Sequence, residues 1–156
     1  MKLQNIIQMV QEIILRNIEK PHIKSMEEDL LWFCDSFGFS SGRDTENTAT
    51  RIIFSLLDKL SNDEITSSEA LAGDLDIKIS RVNHHLRNLN DSGLLYRKKR
   101  LIYLRGGSLK AAVKEMRKDS ERIFDELENI AEEIDSIKGI QNRYEFKKKG
   151  FMKEDQ

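Results

Sequence analysis

Residues 66–95 read TSSEALAGDLDIKISRVNHHLRNLNDSGLL, and the stretch divides into two short helices across a turn. Thr66 or Ser67 can cap the first, over residues 67–74, where Ala70, Leu71 and Leu75 supply the apolar positions. Asp76-Ile77-Lys78-Ile79 makes a short connection. Ser80 can then cap a helix over 81–91 with Val82, Leu86 and Leu89 on its inner side, and Ser92-Gly93 ends it. Upstream, Ile52, Ile53, Leu56, Leu57 and Leu60 mark a helix over roughly 46–60. Downstream, Leu94-Leu95-Tyr96 and Leu101-Ile102-Tyr103-Leu104 flank the basic run Arg97-Lys98-Lys99-Arg100, which reads as a β-hairpin with a charged tip.

Beyond the hairpin, Arg105-Gly106-Gly107 breaks the strand and Ser108 can cap a long helix over 108–138. Its apolar positions Leu109, Val113, Met116, Ile123, Leu127, Ile130, Ile134 and Ile137, with Ser120 between, alternate steps of four and three, the heptad pattern of a coiled coil. That seam is expected to dimerise. Residues 141–156 are polar and Lys-rich and read as a flexible basic tail. At the other end, Leu3, Ile6, Ile7, Val10, Ile13, Ile14 and Ile18 recur at helical spacing, predicting a helix over 3–19 closed by Pro21. A second helix is expected from Ser25, its cap, to Gly38, so that 1–39 forms an N-terminal helical segment supporting the core and the dimer. Residues 40–47 hold no apolar side chain and read as a loop.

Helix, short helix, turn, helix and basic hairpin, over residues 48–105, is the order of a winged helix-turn-helix. The expected fold is therefore mainly α with a small β-hairpin wing, flanked by the N-terminal helices and the long C-terminal coiled-coil helix. Charge is distributed accordingly. The 156 residues carry a net charge of only −1, yet residues 78–105 hold eight Lys or Arg against Asp91 alone, a local +7. Residues 1–77 net −7 and residues 106–137 net −4. Such a cationic block suits double-stranded DNA, whose phosphates give sequence-independent affinity. With Val82, Leu86 and Leu89 inward, Ser80, His84, Arg87 and, at the far end, Asp91 face outward, flanked by Arg81, Asn83 and Asn88. Arg pairs bidentately with guanine and Asn with adenine, while Ser80 at a helix start suits a phosphate. Arg97, Lys98, Lys99 and Arg100 would lie on the DNA backbone.

The 66–95 stretch resembles winged-helix transcriptional regulators of the ArsR type, whose pattern is matched by Val82, His85, Leu86, Leu89, Gly93 and Leu94, with Ser92 in place of the usual Ala. Phe37-Gly-Phe, Gly42-Arg-Asp-Thr and Thr48-Ala-Thr-Arg-Ile are in turn similar to a group of small archaeal DNA-binding regulators. The resemblance implies the winged fold and DNA binding over residues 48–105. Metal-sensing members of that family use Cys-x-Cys or terminal Asp/His pairs. This chain has one Cys, Cys34, and no His after His85, so neither metal nor cofactor is expected.

Other features read more plainly. Cys34 is expected as a small core residue, with no base at a spacing that would make it a nucleophile. Adjacent His84 and His85 diverge on a helix and cannot form a two-His metal face; His85 is expected to be half-buried. Trp32, Phe33, Phe37 and Phe39 could line a ligand pocket, but a packed second core is the simpler reading. Asp44 or Thr45 is expected to cap the next helix. No apolar run approaches the ~20 residues that span a bilayer, and Glu12 and Arg16 interrupt any signal-peptide pattern. A single Cys fits a reducing, cytoplasmic compartment. The expectation is a homodimeric, sequence-specific DNA-binding regulator without catalytic activity. The alternative is a winged-helix protein-interaction module of a basal transcription assembly.

Overall fold

The computed structural model describes residues 10–40 and 44–144. The chain divides into two compact units, residues 1–117 and 118–156. In the described residues the elements run α1 (Met26–Ser36), α2 (Thr48–Ser61), β1 (Thr66–Ser67), α3 (Ser68–Leu75), α4 (Ile79–Ser92), β2 (Leu95–Lys98), β3 (Leu101–Leu104) and α5 (Leu109–Lys138), with a 3₁₀ turn at Arg105–Gly107 before α5. No helix among them is long and apolar enough to cross a membrane.

Local chemistry sets most of these boundaries. The Ser25 side chain accepts the Glu28 N–H at 3.1 Å and starts α1, with Glu27, Glu28 and Asp29 in the favourable first turn. Ser67 does the same for α3 through the Ala70 N–H at 3.2 Å, and Ser108 for α5 through the Ala111 N–H at 3.1 Å. α2 is started from further away. Asn47 occupies its cap position without a side-chain bond, while Asp44 accepts the Thr48 N–H at 2.8 Å and the Thr48 hydroxyl at 3.0 Å. α4 begins earlier than Ser80: Lys78 is the cap residue, no side chain caps the helix, and Ser80 lies inside the first turn. The expectation of a Ser80 cap is corrected on that ground. α4 ends at Gly93, whose φ of 90° is the left-handed conformation a helix stop favours.

The first unit has one core. Ile52, Ile53 and Leu56 of α2 meet Leu71 of α3, Val82, Leu86 and Leu89 of α4, and Leu94, Leu95, Ile102 and Leu104 at the sheet. Leu30 and Cys34 of α1, Phe39, and Ala112 and Met116 of α5 close it. Cys34 is fully buried, and burial pushes its thiol up to about 11, so it packs as a small apolar residue. The sheet is antiparallel in the order β1-β3-β2. The two-residue β1, absent from the sequence expectation, pairs Thr66 with Ile102 and Ser67 with Leu101. In the hairpin, Tyr96 lies opposite Tyr103 and Lys98 opposite Leu101. The turn is thus Lys99-Arg100 alone, with φ of 52° and 68°, and Arg97 and Lys98 belong to β2 rather than to a four-residue tip.

The expected helix over 3–19 is not what the structure contains. Residues 3–9 lie outside the described residues, and residues 10–25 form no helix. They make an extended strap instead. Its Glu12 N–H donates to the Asp91 carbonyl at 2.9 Å and its Arg16 N–H to the Ser36 carbonyl at 2.7 Å. The Gln11 amide donates to the Ser92 carbonyl at 3.2 Å, and the Trp32 indole N–H to the Ile18 carbonyl at 3.0 Å. The Asp91 and Ser92 carbonyls at the end of α4 and the Ser36 carbonyl at the end of α1 are helix carbonyls that lack an intrahelical partner. The strap satisfies them, whereas a helix would have spent its own N–H groups internally. A run rich in β-branched isoleucine also gains little from helix formation. Ile13 packs on the core, and Ile14 lies over Gly38, where an added Cβ would come within 3.0 Å of its Cγ2.

The heptad helix forms over Leu109–Lys138. In the first unit its buried face centres on Ala112 and Met116, with Leu109 partly buried beside them. In the second unit the same helix leaves Phe124, Leu127, Ile130, Ile134 and Ile137 exposed, at 54–82% of their accessible surface. The Gly42-Arg43 part of the loop and tail residues 145–156 lie outside the described residues.

Candidate nucleic-acid interface

The +7 block of residues 78–105 falls on α4, β2, β3 and the turns that join them. α4 turns its apolar side into the core through Val82, His85, Leu86 and Leu89, which leaves His84, Arg87 and Asn88 exposed and Asn83 half-exposed. One contact ties the helix to the hairpin: Arg97 of β2 donates to the Asn83 side-chain oxygen at 2.8 Å. The guanidinium spans the seam, so the exposed residues of α4 and the basic hairpin form a continuous surface. Lys98, Lys99 and Arg100 are all exposed, and neither Arg87 nor these three make a salt bridge among the described residues. Arg100 does act on Glu69, helping to hold its carboxyl below the usual range behind the hydrogen bonds that dominate that shift.

Arg81 belongs to a different arrangement. It pairs with the Asp44 carboxylate at 3.3 Å and with Glu46 at 3.0 Å, fastening the start of α4 to the segment that starts α2. The Asp44 side chain is only 3% exposed. Burial raises its pKa, but hydrogen bonds from the Thr48 hydroxyl and backbone outweigh that and hold it low, with help from His85. Arg81 is therefore committed to an internal ion pair, and Ser80 is an exposed first-turn residue. Asn88 also differs from the outward set, since it lines a small cleft with Glu12 and Asp91 beside the strap.

His85 is buried to 5% exposure under this surface, deeper than the half-buried placement its position suggested. Burial pushes its pKa down, Asp44 opposes this, and His84 and Arg81 add to it. The ring packs edge-on against His84 at 5.5 Å. On the outer face of the sheet, Tyr96 and Tyr103 stack at 5.1 Å and 14° between planes. The residue alternation of the two runs contained that pair, but the register joining them was needed to see it. Lys78, at the cap of α4, and Arg51, which donates to the Leu75 carbonyl at 3.0 Å, line a polar hollow with Arg81; their place at the start of α4 was also missed. Lys78 was visible in the charge count alone.

Among the described residues no cluster of three or more His, Cys, Asp or Glu could hold a metal ion. The arrangement is suited to contacting a polyanion through a rigid, half-polar helix and a cationic hairpin. Comparisons with protein-family models, curated proteins and solved structures found no match for this chain.

Proposed function

We propose that this protein is a sequence-specific DNA-binding transcription regulator whose residues 48–105 act as a winged helix-turn-helix. The observation that carries the reading is the Arg97–Asn83 bond, which joins α4 and the hairpin in one surface bearing Arg87, Lys98, Lys99 and Arg100, none of which makes a salt bridge among the described residues. α4 enters the major groove, with Arg87, Asn83 and His84 at base edges, and Ser80 near a phosphate. The hairpin lies on the backbone or the adjacent minor groove as the wing. Arg81 fixes the angle of α4 and makes no base contact.

The exposed stripe Leu127, Ile130, Ile134 and Ile137 supports a homodimer through α5, because an isolated apolar seam of this length is stable in water only when covered. Two copies would set two reading helices about one DNA turn apart. The proposed role is that of a cytoplasmic, non-enzymatic regulator.

Selection of bound fragments from a random-sequence DNA pool tests this. A palindromic motif with half-sites about ten base pairs apart is expected. Arg87→Ala should relax sequence choice and weaken binding by about 1–3 kcal/mol, whereas Lys98→Ala should weaken all sequences alike and reduce the salt slope by about one. The Tyr96–Tyr103 stack, with Tyr96 exposed and Tyr103 half-buried, favours a second reading, a winged-helix protein-interaction module of a basal transcription assembly. Weak binding, indifferent to sequence and lost by about 0.2 M salt, would support that reading and refute the first.

A further inference from the structure

Residues 18–26 read Ile-Glu-Lys-Pro-His-Ile-Lys-Ser-Met, a segment that Pro21 keeps out of a helix and that carries two lysines and a histidine. It forms one wall of a cavity of about 560 Å³, within the range of small-molecule sites. The opposite walls are apolar: Trp32 and Phe33 of α1, Leu57 of α2 and Leu109 of α5. Two of the four aromatic residues of the α1 region thus line this cavity. The others pack inward, Phe39 buried in the core and Phe37 stacked on it at 5.5 Å. The Trp32 indole N–H is already taken by the Ile18 carbonyl, which leaves the ring to act as an apolar wall.

Lys20 and Lys24 stand exposed at the mouth, and neither pairs with a carboxylate among the described residues. His22, also on the lining, lies 3.4 Å from the Glu19 carboxylate. Asp29 also reaches the rim, but it sits in the first turn of α1, where the helix end already favours its charge. Lys20 and Lys24 against Asp29 leave the lining one positive charge in excess.

We infer that this cavity binds a small amphipathic anion, its aliphatic or aromatic body against Trp32, Phe33, Leu57 and Leu109 and its carboxylate-like head at Lys20 and Lys24. The geometry has a regulatory corollary. The lysines ride on the strap whose Gln11 and Glu12 hold the carbonyls of Ser92 and Asp91 at the end of α4. A ligand that settles the strap is therefore coupled to the orientation of α4. That corollary rests on the DNA-binding reading, whereas the ligand site does not.

Trp32 is the only tryptophan in the chain, so its emission reports on this cavity directly. The full-length protein is titrated with decanoate, decanol and decyltrimethylammonium, each below its micelle concentration. A saturable shift of Trp32 emission is expected, tightest for decanoate and weakest for the cation. Lys20→Gln/Lys24→Gln, both exposed, should leave the circular dichroism unchanged and weaken decanoate about five- to ten-fold at low salt, bringing it level with decanol. Equal affinity for all three probes would overturn the anion assignment, and no shift with any of them would overturn the site. Emission that instead follows protein concentration in step with the light-scattering mass, and blocks decanoate, would make the cavity a protein contact and refute the proposal. Whether decanoate also alters DNA binding is read separately, so failure of that effect alone removes only the coupling.

Discussion

The Lys99-Arg100 turn places opposing demands on the same two side chains. Both residues sit at positive φ, 52° and 68°, in a two-residue hairpin turn of the type that Asn-Gly fills with least strain. A non-glycine residue in the left-handed region costs about 1–2 kcal/mol, less for Asn, and Gly returns about 0.5–1 kcal/mol of that as added freedom of the unfolded chain. Both side chains are exposed and make no salt bridge among the described residues, Arg100 acting only weakly on Glu69, so little else is lost when they are replaced. Lys99→Asn with Arg100→Gly should therefore stabilise the protein by about 1 kcal/mol, raising Tm by about 4 °C at fixed protein concentration. On the proposed function the same change removes two phosphate contacts. The slope of log affinity against log salt should become less steep by about 1.8, with sequence preference unchanged. Thermal unfolding by circular dichroism and a salt series of DNA titrations measure the two effects on one preparation. A Tm that is unchanged or lower would refute the strain at the turn. An unaltered salt slope would show that the tip lies away from the phosphates.

Three further expectations follow from the same structure. Asp44→Ala removes the acceptor for the Thr48 N–H and hydroxyl and leaves Arg81 with Glu46 alone; unfolding in urea should show a loss of about 2–3 kcal/mol, and a loss below about 0.5 kcal/mol would refute the role given to Asp44. Burial holds the His85 pKa below its ordinary 6.5, so the unfolded chain takes up a proton that the folded one resists: stability is full above about pH 6.5 and declines as pH falls through the depressed folded value. His85→Gln should flatten that part of the pH–stability curve, and an unchanged slope between pH 7 and about 5 would show that other groups set it. Leu127→Glu with Ile134→Glu, on exposed positions of α5, should change the helix content little but reduce the light-scattering mass from a dimer to the 18.2 kDa monomer; a wild-type mass already at the monomer value would remove the homodimer.

Much of this was legible because the signals were local. Ser25, Ser67 and Ser108 cap helices that begin where hydroxyl residues precede apolar periodicity, and Gly93 ends α4 as a helix stop should. The 3.6-residue period placed Val82, Leu86 and Leu89 inside, and with them the outward face of His84 and Arg87. What escaped depended on partners distant in sequence. Arg81 reads as one more cation of the block until Asp44, 37 positions earlier, is folded against it. β1 has two residues and exists only because β3 offers an edge. The isoleucine spacing of residues 3–19 fits a helix, but periodicity carries no information about unpaired carbonyls at the ends of α1 and α4. The Lys99-Arg100 turn was hidden for a chemical reason, since it lacks the Asn or Gly that marks such a turn.

The strap also has a temporal consequence during synthesis. Gln11 is made before α4, and the Ser92 carbonyl that it bonds lies 81 residues later. At about 5–20 residues per second, that interval is about 4–16 seconds on the ribosome. Residues 14–18 can already meet α1 and Gly38, through Arg16 on the Ser36 carbonyl, Ile18 under Trp32 and Ile14 over Gly38, but the Gln11–Glu12 end has to wait until α4 is complete. The Gln11–Glu12 end of the strap is thus seated only after α4, and its docking marks the first unit as nearly finished.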